Sequence, residues 1–87
     1  MDKEEIVGLT KQLDRFCDYA TKGLYEVFQI IQKKDSSARM NTDLTLVTKL
    51  NSQDTDVLRY TTYLKVLREA RSAMRAIAVS YTHLRAH

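Results

Sequence analysis

The 87 residues include no proline, two glycines, one cysteine and no tryptophan, and carry a formal charge of +3. A lone cysteine excludes an internal disulfide, and so small a charge surplus argues neither for nor against nucleic acid. Scarce turn residues beside abundant Leu, Ala, Lys, Arg and Gln indicate helices joined by few turns, an all-α chain.

The opening Met1-Asp2-Lys3-Glu4-Glu5 is acidic where a secretory leader would be basic, and no apolar run is long enough to span a bilayer. The cytoplasm, without membrane contact, is the expected setting. From Ile6 onward apolar residues recur at steps of three and four: Ile6, Leu9, Leu13, Phe16, Ala20, Gly23, Val27 and Ile30, widened by Leu24, Phe28 and Ile31. That periodicity predicts an amphipathic, coiled-coil-like helix over about residues 3–33, with an apolar seam on one side. Lys11, Asp14, Arg15, Asp18, Lys22, Glu26 and Gln29 occupy the polar side, where Asp18 and Lys22 have the favoured acid-first spacing for an ion pair. Gly23, unfavourable in mid-helix, lies at the seam's edge and suits the close approach of another backbone. Cys17 falls beside Leu13 and Leu24, a small buried side chain rather than a reactive thiol.

Asp35-Ser36-Ser37 is turn chemistry and should end the helix. Leu44-Thr45-Leu46-Val47-Thr48-Lys49-Leu50 alternates like a strand, but a lone strand is unstable. With no pairing segment evident, a short helix capped by Asn41, Thr42 or Asp43 is the favoured expectation. Asn51-Ser52-Gln53-Asp54 is dense in capping side chains. A second long helix is expected from Thr55 to at least Ala78, its apolar stripe formed by Tyr60, Tyr63, Leu67, Ala70, Met74 and Ile77 with Leu64 and Val66 at the margins.

The last nine residues, Val79-Ser80-Tyr81-Thr82-His83-Leu84-Arg85-Ala86-His87, resemble, residue for residue, a translated transposon end of the kind used to tag DNA for sequencing. The resemblance implies a non-native, adapter-derived tail at 79–87 and a truncated helical fragment of one domain at 1–78, from a microbial or phage protein. Without the tail, 13 cationic residues face 11 acidic ones, a charge of +2. His83 and His87 stand four apart, as a metal pair on a helix would. No Glu follows His83 and no third ligand is evident, so no metal is expected.

Two amphipathic helices of this length form a helical hairpin or a three-helix bundle. Parts of the stripes would stay uncovered, which calls for a missing C-terminal region or a homo-oligomer. The interaction seam is assigned to Leu9, Leu13, Phe16, Val27, Tyr63, Leu67 and Met74. No catalytic residues, cofactor or phosphate loop are apparent, so the expected function is a non-enzymatic protein interaction or assembly module. One alternative is nucleic-acid binding through Arg68, Arg71 and Arg75, which occupy a narrow arc of the second helix and suit phosphate contacts. A helix-turn-helix, with 44–50 as its first helix, would be one form of it. The other alternative is the helical part of an enzyme whose active residues lie downstream.

Overall fold

The computed structural model describes residues 2–86. Two long helices, α1 (Lys3–Lys34) and α2 (Thr55–Ala86), pack along each other as a helical hairpin. They run antiparallel: Lys34 meets Asp54 near the closed end, while Cys17 and Ala20 meet Leu67 and Ala70 farther along.

Both helices begin where short polar side chains satisfy the first free N–H groups. The Asp2 carboxylate accepts from the Glu5 N–H at 2.8 Å, and Asp54 accepts from the Asp56 and Val57 N–H groups at 2.9 and 3.2 Å. Helix α1 stops at Asp35, whose extended backbone (φ −144°) still donates its N–H to the Ile31 carbonyl.

Between the helices the expected short helix at 44–50 is not formed. Instead β1 (Arg39–Met40) pairs antiparallel with β2 (Leu46–Val47), Arg39 opposite Val47 and Met40 opposite Leu46. The pairing segment passed over in the sequence is Arg39-Met40, too short to alternate visibly. A turn closes the ribbon: the Leu44 N–H donates to the Asn41 carbonyl at 2.9 Å, and the Asn41 N–H to the Thr45 carbonyl at 2.9 Å. Leu44 adopts φ 70°, the left-handed region in which a side chain costs about 1–2 kcal/mol. Burial repays that cost, since Leu44 packs against both core clusters and its carbonyl accepts from the Tyr60 hydroxyl at 2.6 Å. Burial pushes the Tyr60 hydroxyl up to about 12. With a strand at 46–47, the helix-turn-helix has no first helix, and among the described residues no third long helix makes a three-helix bundle.

The linker is anchored by Asp35. Its carboxylate accepts from the Ser37 N–H and hydroxyl (3.0 and 2.6 Å) and from the Thr48 hydroxyl and Lys49 N–H (both 2.8 Å). These donors, the Ser37 hydroxyl foremost, hold its carboxyl far below the ordinary range. Outside the linker, Lys34 bridges Asp54 and Asp56, each at 2.8 Å, tying the end of α1 to the start of α2. The anticipated Asp18–Lys22 pair is not among the ion pairs of the described residues.

Two core clusters run along the hairpin. Leu24, Val27, Ile31, Ala38, Tyr60 and Leu64 fill the closed end, and Cys17, Ala20, Leu67 and Ala70 the middle. The linker lies over the side of α2 that carries Thr61, Leu64 and Arg68.

Candidate interaction face

The apolar residues of α1 form two rows rather than one seam. Leu13, Cys17, Ala20, Leu24, Val27 and Ile31, spaced four-three-four-three-four, turn toward α2; all are buried except the half-buried Leu13. One residue earlier runs a second row with the same spacing, Gln12, Phe16, Tyr19, Gly23, Glu26 and Ile30, continued back to Leu9. A shift of one residue turns a helix by about 100°, so this row lies at the margin of the α1–α2 contact, where Gly23 is buried but the large apolar side chains are exposed. Leu9 is 37 % exposed, Phe16 56 %, Tyr19 68 % and Ile30 38 %.

The seam residues expected from sequence are therefore divided. Val27 and Leu67 are buried within the hairpin, while Leu13 and Met74 pack half-buried at its middle cluster. Leu9 and Phe16 stand on the open row instead.

Helix α2 repeats the two rows but not their exposure, since Tyr63, Val66 and Ala70 of its second row also pack on the core clusters. Tyr60, Leu64 and Leu67 are buried against α1, and Tyr63, Val66, Ala70, Ala73 and Ile77 form a parallel row, half-buried except for the buried Ala70. The second rows share one side of the hairpin. The Tyr63 ring meets Tyr19 edge-on with centroids 6.3 Å apart, and it covers Gly23 so closely that an added Cβ would stand 2.5 Å from its Cε1 and Cζ. Gly23 thus admits an aromatic ring, where the sequence had suggested a backbone. The resulting face carries Leu9, Phe16, Tyr19 and Ile30 beside Tyr63, Val66 and Ile77, interrupted on α1 by Gln12 and Glu26. Gln12, Arg15, Phe16 and Tyr19, all of α1, line a shallow apolar hollow.

Tyr19 was not recognised in the sequence as part of any surface. The available signal was the equal spacing of the rows 12/16/19/23/26/30 and 13/17/20/24/27/31, which a single-stripe reading merges.

Arg68, Arg71 and Arg75 are all exposed on α2. Arg68 borders the linker and contributes, after the Thr45 hydrogen bonds, to holding the Asp43 carboxyl below its ordinary range. That neighbouring carboxylate could not be anticipated from helix periodicity. Among the described residues no hydrogen bond or ion pair ties up Arg71 or Arg75.

Along the last turns of α2, Val79, Thr82, His83 and Arg85 are exposed and Tyr81 is half-buried. His87, the second member of the histidine pair, lies outside the described residues. Among the described residues no three His, Cys, Asp or Glu side chains gather as a metal site requires, and no helix is long and apolar enough to cross a membrane. The chain matches no protein-family model, and no curated protein and no solved structure is similar to it.

Proposed function

We propose that this chain is a non-enzymatic helical interaction or assembly module that docks through the face shared by α1 and α2. The observation that carries this reading is the exposure of Phe16 and Tyr19 on the apolar face of α1, beside the half-buried Tyr63 of α2. Large aromatic side chains bring much contact area at little entropic cost and dominate binding energetics. Contiguous apolar surface of this kind is uncommon on proteins that act alone.

The reading requires that these aromatics be dispensable for folding. The double variant Phe16→Ser, Tyr19→Ser is expected to keep wild-type helicity and cooperative urea unfolding by circular dichroism at low concentration. Leu24→Ala, at a fully buried site, should cost about 2–5 kcal/mol in the same assay. Collapse of the double variant's helicity would make Phe16 and Tyr19 part of the fold's own core and remove the surface on which the proposal stands.

A further inference from the structure

We propose that the partner on this face is a second copy of the chain, and that two hairpins close face to face into an antiparallel four-helix bundle; this rests on the reading of the chain as an interaction module. In such a bundle every helix has two neighbours in directions about 90° apart. The two apolar rows of α1, and those of α2, are about 100° apart by their one-residue offset. The first row of each helix is used within the hairpin; of the second, Gly23 and Ala70 are buried there too, while the exposed Leu9, Phe16, Tyr19 and Ile30 of α1 and the half-buried Tyr63, Ala73 and Ile77 of α2 are left for a neighbour that a second hairpin provides.

The exposed area agrees. The chain has 6448 Å² of accessible surface, about 20 % above the roughly 5,300 Å² expected of a compact monomer of 10.1 kDa. It is drawn out to 53 × 18 × 18 Å, with a radius of gyration of 16.6 Å against about 12 Å for a compact domain of this length. The excess, about 1,100 Å², slightly exceeds the roughly 800 Å² that each partner gives to a standard interface.

Charge selects the arrangement. Arg15 and Lys22 border the open row of α1, each one position before Phe16 and Gly23, and Glu69 borders the open row of α2, one position before Ala70. All three are exposed and without an ion pair among the described residues. Because Cys17 and Ala20 pack with Leu67 and Ala70, Glu69 is level with about residues 17–19. A two-fold axis parallel to the helices keeps these heights and lays α1 on the partner's α2. The partner's Glu69 then falls between Arg15 and Lys22. Stacking α1 on the partner's α1 would instead oppose Arg15 and Lys22, two like charges.

Light scattering after size exclusion tests the proposal on the full 87-residue chain. At tens of micromolar the chain should show twice its 10.1 kDa mass. Phe16→Glu should raise the dissociation constant about 100-fold with helicity intact. Glu69→Lys should weaken association about fivefold, and adding Arg15→Glu and Lys22→Glu to it should restore association. A monomer at every concentration overturns the second copy as occupant; the interaction reading falls only if the Phe16, Tyr19 double variant unfolds. A dimer indifferent to Phe16→Glu overturns the face. A dimer that loses affinity on Phe16→Glu but not on Glu69→Lys overturns the pairing of α1 with the partner's α2.

Discussion

Four donors converge on the Asp35 carboxylate, two from Ser37 and one each from Thr48 and Lys49, so a single side chain joins the end of α1 to the return strand of the linker. The donors stabilise the charged form, which sets the sign of the pH dependence. The folded-state value lies below the ordinary 3.8, so the contribution is complete above the ordinary value and is lost as pH falls through the folded one. Asp43 and Asp54 are lowered as well, chiefly by Thr45 and by Lys34 respectively. The urea midpoint should therefore hold steady from about pH 7 to 5 and fall steadily below about pH 4. Asp35→Asn should lower the midpoint at pH 7 and flatten the acid limb. An unchanged limb in that variant would assign acid sensitivity to the other carboxylates.

The two glycines of α1 separate helix propensity from packing. Nothing lies within 4 Å of a Cβ built on Gly8, whereas one built on Gly23 meets the Tyr63 ring. Gly8→Ala should then realise up to about 1 kcal/mol of helix propensity. Gly23→Ala should not, because the gain is offset by displacement of Tyr63 and by loss of its edge-on contact with Tyr19. Chemical denaturation of both variants checks this; an equal gain at the two sites would mean that the Tyr63 ring moves aside freely. The linker teaches the complementary lesson at the same scale. Leu44 holds a left-handed backbone that glycine would adopt more easily, and it does so because its side chain spans both core clusters while its carbonyl receives the Tyr60 hydroxyl.

For the molecule as a whole, the basic arc and the apolar face offer competing accounts of what binds. Arg68 lies close enough to Asp43 for its charge to help hold that carboxyl below the ordinary range, and phosphate contact there would have to compete with the carboxylate. Our expectation is that mixed-sequence DNA and RNA do not bind at low salt, as read by fluorescence anisotropy. Were binding found, with Arg68→Gln, Arg71→Gln and Arg75→Gln together flattening its salt slope by about three phosphates, the nucleic-acid reading would displace the interaction module.

How much of this was legible beforehand depends on the range of the interactions involved. Periodicity and capping chemistry are local, so Asp35 and the run Asn51-Ser52-Gln53-Asp54 marked helix bounds in the sequence and the alternation of charged and apolar residues marked the buried sides. The hairpin, as one of two expected architectures, followed from the length of those helices. The ribbon did not, because two-residue strands acquire stability only from long-range anchors such as Asp35 with Thr48 and Tyr60 with Leu44, which periodicity cannot register. Nor did the candidate face: Leu9 and Phe16 carry the same hydrophobicity as Leu13 and Val27, and a stripe wide enough for two neighbours looks, in one dimension, like a broad single seam. Which row met α2 was decided only by the packing of the two helices, where Tyr63 closes over Gly23 and leaves Phe16 and Tyr19 open.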